Sequence, residues 1–191
     1  MLSISGWTMV QSFISVSIWF IFFLAIEHLG ERPLAVTNIV RNISALLIMV
    51  ISAFATTAGA LISNQIGAGE QRCLFKTCGM TLKLTYAILI PLLIILCLFP
   101  ESVLRAFTDS PSLIAASVNS VYVMASSTLI MAPSFILFNA VSGTGNTRAG
   151  FIMEMISLAV YTAVIYYGII RLKPDVALCW FSEHVYGVTL I

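Results

Sequence analysis

Five stretches of this chain carry no Asp, Glu, Lys or Arg: residues 1–26, 42–69, 84–100, 110–147 and 155–170, followed by a broken apolar tail over 176–191. A helix crosses the hydrocarbon core of a bilayer with about 20 mainly apolar residues. Most of these stretches reach or approach that length, and a soluble fold has no use for so many of them. Nine Lys or Arg and eight Asp or Glu cannot give a 191-residue core a water-facing surface, since 60% of the chain is hydrophobic and 9% charged. Much of the surface must face lipid, and the expected fold class is an all-α integral membrane protein.

Six transmembrane helices are expected, near 4–27, 34–65, 80–99, 112–141, 148–171 and 175–191, forming a single membrane unit over 1–191. The run from 110 to 147 begins at Ser110-Pro111 and ends in Ser142-Gly-Thr-Gly-Asn-Thr147, which leaves room for one helix bent at Pro133 rather than for two spans. Gly30-Glu-Arg-Pro33 and Lys173-Pro-Asp175 read as tight connections, and Gly67 to Lys83 as a longer polar one. The apolar start lacks the basic flank and short apolar region of a cleaved signal peptide, so it is expected to remain as a span. The last span is short and has no interfacial anchor before Ile191, and the sequence reads as incomplete at both ends. Counting Lys and Arg on the two sides gives a tie, Arg72, Lys76, Lys83 and Arg148 against Arg32, Arg105, Arg171 and Lys173.

A net charge of +1 offers no basic surplus for a phosphate backbone, which removes nucleic acid as a partner. Cys73, Cys78, Cys97 and Cys179 show no CxxC spacing, and two lie in apolar runs, so neither a disulfide framework nor a zinc site is signalled, and no cofactor is expected. HExxH, GxSxG and Walker patterns are missing, and Gly143-Thr-Gly145 lacks the third glycine and preceding strand of a dinucleotide site. The chain is not read as an enzyme.

Polar residues at membrane depth are costly, so their pattern carries the functional signal. At 100° per residue Asn38, Arg41, Asn42, Ala45, Met49, Ser52, Thr56, Gly59 and Ser63 fall within an arc of about 100° on one helix. The first span repeats this with Thr8, Gln11, Ser12, Ser15, Trp19 and Phe22, and the fifth with Glu154, Ser157, Tyr161 and Gly168. Small and hydroxyl residues in such stripes serve close helix packing, or they line a hydrated cavity. Gln11, Trp19, Asn38, Arg41 and Asn42 are the candidates for cavity lining. Glu154 and Glu183, roughly 9 and 12 Å along their helices from Arg148 and Asp175, are candidates for proton handling or for an inter-helix hydrogen bond or ion pair. Arg41 is placed to pair with either carboxylate, to cap a loop carbonyl, or to meet a substrate.

Several short motifs add a family resemblance. Glu27-His-Leu-Gly30, Leu34-Ala35 and Asn38-Ile-Val-Arg41, followed by Leu61-Ile-Ser-Asn-Gln-Ile-Gly-Ala-Gly69, Phe107-Thr-Asp109 and Val141-Ser-Gly-Thr-Gly-Asn-Thr-Arg148, resemble the multidrug and toxic compound extrusion (MATE) family in order and spacing. Trp19-Phe-Ile-Phe-Phe23 and Trp180-Phe-Ser-Glu-His-Val-Tyr186 are more similar to its carboxy-terminal lobe. The resemblance implies one six-helix lobe of a twelve-helix transporter, with a missing amino-terminal lobe or a second copy of this chain as partner. It also implies a multi-pass protein of the plasma (inner) membrane, with Met1 and the loops around Arg72 and Arg148 cytoplasmic. The implied activity is secondary antiport by alternating access, exporting drugs or small toxic organic compounds, cations included, in exchange for protons or sodium ions. The carboxylates of sodium-coupled members, in the first and fourth helices of this lobe, are replaced here by residues such as Gln11 or Ser15 and Ser127 or Met131. A lipid-linked sugar flippase of the same superfamily is the alternative cargo reading, and a non-transporting six-helix scaffold or fragment is the alternative outside transport.

Overall fold

The computed structural model describes residues 2–172 and 174–191, with side chains described throughout those ranges except at 2–8, 10–12 and 71. Among the described residues all regular structure is helical: α1 (Leu2–Glu27), α2 (Glu31–Gly67), a 3-10 turn at Gln71–Cys73, α3 (Leu74–Leu98), α4 (Pro100–Arg105), α5 (Pro111–Gly143), α6 (Thr147–Val164), α7 (Val176–Cys179) and α8 (Ser182–Leu190). A π-helical segment, Ile165–Arg171, prolongs α6. Glu31–Gly67, Leu74–Leu98, Pro111–Gly143 and Thr147–Arg171 are each long and apolar enough to cross a membrane. At 1.5 Å per residue the 37 residues of α2 extend about 55 Å, well beyond a hydrocarbon core of roughly 30 Å.

Two elements differ from the sequence expectation. The segment read as a polar connection up to Lys83 is helical from Leu74. Threonines there and just beyond bond back along the helix: Thr77, Thr81 and Thr85 donate to the carbonyls of Cys73, Thr77 and Thr81 at 2.9–3.1 Å. Satisfied in this way, they do not interrupt it. The stretch 175–191, read as one continuous span, is instead split into α7 and α8. Between them the backbone tightens to i→i−3 bonds, Phe181 to Leu178, Glu183 to Trp180 and His184 to Phe181. Residues three apart eclipse in such a turn, and this brings both Trp180 and Glu183 into the buried interior.

Pro133 does not end α5, which runs on to Gly143. Proline removes the N–H that would have bonded the carbonyl of residue 129, and the Tyr86 hydroxyl of α3 donates to that Leu129 carbonyl at 2.7 Å. The next residue, Ser134, has its hydroxyl oxygen 2.7 Å from the carbonyls of both Ile130 and Gly187 and can donate its one hydrogen to either, within α5 or across to α8.

The main core lies between α2, α3 and α5, with Val40, Ile51, Leu89, Val121 and Met124 almost fully enclosed. A second cluster joins α1 to α6 through Phe22, Ile26, Tyr161, Ile165 and Ile169. At the far end of α2 the backbones of α2 and α5 touch. A Cβ on Gly143 would fall on the Gly59 carbonyl oxygen, and one on Gly59 would lie 2.9 Å from the Asn139 carbonyl oxygen. Ser63 donates to the Gly143 carbonyl at 2.7 Å across this crossing, a small-residue contact of the kind that holds helices together in lipid. The chain leaves α5 through Gly145, whose φ of 83° suits glycine, and Asn146 then caps α6 by accepting from the Ala149 N–H at 3.1 Å.

Candidate functional site

α1, α2, α5, α6 and α8 line a half-open cavity of about 790 Å³. Its walls are mostly aromatic and aliphatic, with Trp19, Phe20 and Phe23 from α1, Ile48 and Met49 from α2, and Met131 and Phe135 from α5. Polar groups enter at a few points only: Ser15, Arg41, Ser44, Tyr161, Glu183 and Tyr186. A volume of this size with few convergent polar groups is typical of a small-molecule site.

The two intramembrane carboxylates are both buried, Glu154 at 4% and Glu183 at 6% exposure. Each is held by hydroxyls. Ser15 of α1 donates to Glu154 Oε1 of α6, and Tyr186 of α8 donates to the same oxygen at 3.1 Å. Tyr161 of α6 donates to Glu183 Oε1 of α8 at 2.7 Å. The Tyr161 and Tyr186 rings meet edge to face with centroids 5.6 Å apart, so the two pairs form one patch. Its hydrogen bonds tie α6 to α8 and, across 139 positions, to α1.

Arg41 pairs with neither carboxylate among the described residues. Its guanidinium lies over the Phe23 ring, 5.1 Å from the centroid, as a cation–π contact between α2 and α1. Of the residues picked from sequence, Trp19, Arg41 and Glu183 line the cavity, and Glu154 is held against its wall by two lining residues, Ser15 and Tyr186. Asn38 is half-buried and Asn42 exposed, and the cavity lining contains neither. The Gln11 side chain lies outside the described residues. The helical stripe on α2 reaches the cavity through Arg41, Ala45 and Met49. Of the positions that replace the carboxylates of sodium-coupled relatives, Ser15 and Met131 line the cavity, whereas Ser127 is buried and donates to the Met124 carbonyl. Sequence reasoning missed Tyr186 as the second donor to Glu154. A tyrosine near a chain end carries no periodic signal of its own, and only its spacing of three from Glu183 hinted at a shared helix face.

Membrane-length helices packed around a solute-sized chamber, with two carboxylates buried at its wall, define a multi-pass membrane protein of the transporter type. The MatE family profile matches residues 8–167, and the chain belongs to that family. Solved structures agree on the fold. An outward-facing multidrug resistance MATE family transporter of the MOP superfamily superposes with a TM-score of 0.88 at 13% identity, over 99% of this chain and 42% of the other. A MOP superfamily transporter from Pyrococcus furiosus Vc1 (DSM3638), described as having a binding pocket of reversed polarity that suggests a different function, gives 0.87 at 13% identity with the same coverages. A MATE crystallised in complex with MaD3S gives 0.82 at 14% identity, over 95% of this chain and 42% of the other. The chain therefore spans less than half the length of these relatives, corresponding to one lobe. No curated protein matches it.

Proposed function

We propose that this chain forms one lobe of a secondary active antiporter of the plasma membrane, which exports small organic compounds in exchange for protons. A second lobe or a second copy of the chain completes the chamber. The observation that carries this reading is the pair of buried carboxylates, Glu154 and Glu183, each bonded to hydroxyls and neither ion-paired among the described residues. Ion-pairing for structure alone would have placed a cation beside them.

The chemistry of the patch supplies a coupling step. An ionised carboxylate only accepts hydrogen bonds, whereas a protonated one also donates. Gain or loss of a proton at Glu154 therefore changes its bonding to Ser15 and Tyr186, and at Glu183 its bonding to Tyr161. These bonds join α1, α6 and α8, so proton occupancy biases how the three helices pack. A ligand shifts an equilibrium between two packings only by its differential affinity for them. Proton and substrate, acting on opposite packings, then exchange across the membrane in the manner of alternating access.

The test is efflux driven by an imposed proton gradient in proteoliposomes. Glu154→Gln and Glu183→Gln, made separately, should each lower the initial rate by about tenfold or more while substrate binding persists. Wild-type rates in both variants would overturn the assignment.

A further inference from the structure

Among the described lining residues the exposed charge is positive. Glu183 is the only carboxylate in the described lining, and it is buried with one oxygen occupied by Tyr161. Arg41 is only half-buried, and among the described residues its recorded contact is the face of Phe23. Among the described residues no hydrogen bond or ion pair joins its N–H edges to another group. Those edges form a rigid fork that matches a carboxylate, sulfonate or phosphate group. Around it Trp19, Phe23, Ala45 and Ile48 present apolar surface of the kind that receives a flat organic body.

We propose that Arg41 makes this cavity selective for organic anions, an aromatic or apolar body bearing one acidic group, over cations of the same shape. This rests on the transporter reading above and names its substrate class. In an apolar chamber a guanidinium attracts an anionic solute and repels a cationic one more strongly than it would in water. The Phe23 ring lies against the guanidinium before a ligand arrives, which leaves it less freedom to lose on binding.

The experiment uses the assembled transporter, this chain together with its second lobe or second copy, in nanodiscs of zwitterionic lipid, titrated with 2-naphthalenesulfonate and with 2-naphthyltrimethylammonium. Trp19 in the wall provides a fluorescence signal alongside calorimetry. The sulfonate should bind about tenfold tighter or more. Arg41→Gln should abolish that preference, and Arg41→Lys, which keeps the charge, should retain its sign. Equal affinities, tighter binding of the ammonium, or an unchanged preference in Arg41→Gln would overturn the proposal. So would loss of the preference in Arg41→Lys, because the side chain would then act through shape and not charge. A second titration in discs containing phosphatidylglycerol separates two sources of the same chemistry. Unchanged sulfonate affinity supports a soluble organic anion, and competition by the lipid assigns the site to a headgroup and overturns it. No proton gradient enters these titrations, so they succeed or fail independently of the efflux test on Glu154 and Glu183.

Discussion

Gly143→Ala tests whether the α2–α5 crossing is set by backbone contact. Helix propensity alone favours alanine, by at most about 1 kcal/mol. Against this, the new Cβ would fall on the Gly59 carbonyl oxygen and lie 3.0 Å from the Gly59 Cα, and both are backbone atoms that no side-chain rotation can move. The helices must part, at an overpacking cost of about 1–3 kcal/mol. Parting also stretches the 2.7 Å bond from Ser63 to the Gly143 carbonyl, worth about 0.6 kcal/mol on average in a membrane interior. The expected net loss is about 1–3 kcal/mol. Reversible unfolding in mixed detergent micelles measures it, with Gly79→Ala as the control. Gly79 is also helical, but a Cβ there meets nothing within 4 Å, so this variant should match the wild type or gain up to about 1 kcal/mol. A Gly143→Ala protein as stable as Gly79→Ala would refute the close-contact argument.

Tyr161→Phe removes the donor to Glu183 and should destabilise the protein by about 1–3 kcal/mol in the same assay, because a buried acceptor is left without a partner; an unchanged midpoint would show that the bond contributes nothing. Tyr86→Phe should cost about 1 kcal/mol by exposing the carbonyl that Pro133 leaves free. In a Pro133→Ala background, where the backbone N–H returns, the same change should cost little, and a double-mutant cycle with no coupling would refute that account. Trp19→Phe should leave folding intact and remove most of the fluorescence change caused by ligand, whereas a persistent change would place the ligand elsewhere.

The fold was legible because hydrocarbon imposes a simple rule on sequence. Charge-free runs marked the long helices, and turn residues such as Gly30 and Gly145 marked their ends within a few positions. α3 began earlier than polarity suggested, since threonines that bond their own helix mimic a loop in composition. The split between α7 and α8 depends on how Trp180 and Glu183 are buried against neighbouring helices, which no local pattern encodes. The site was legible in part. Helical periodicity put Arg41 and Ala45 on one face, and both line the cavity, but Asn38 and Asn42 share that arc and the lining omits them. A stripe says which residues share a face, not which part of the face is covered. Partner choice was harder still: Ser15 meets Glu154 across 139 positions, and Arg41 meets Phe23 rather than a carboxylate.

The most direct test of proton coupling at the buried carboxylates is proton release on substrate binding, read with a pH indicator in weakly buffered detergent solution. The wild-type protein should release protons in proportion to bound substrate, and the Glu154→Gln/Glu183→Gln double variant should bind substrate and release none. Equal release from both proteins would contradict the account.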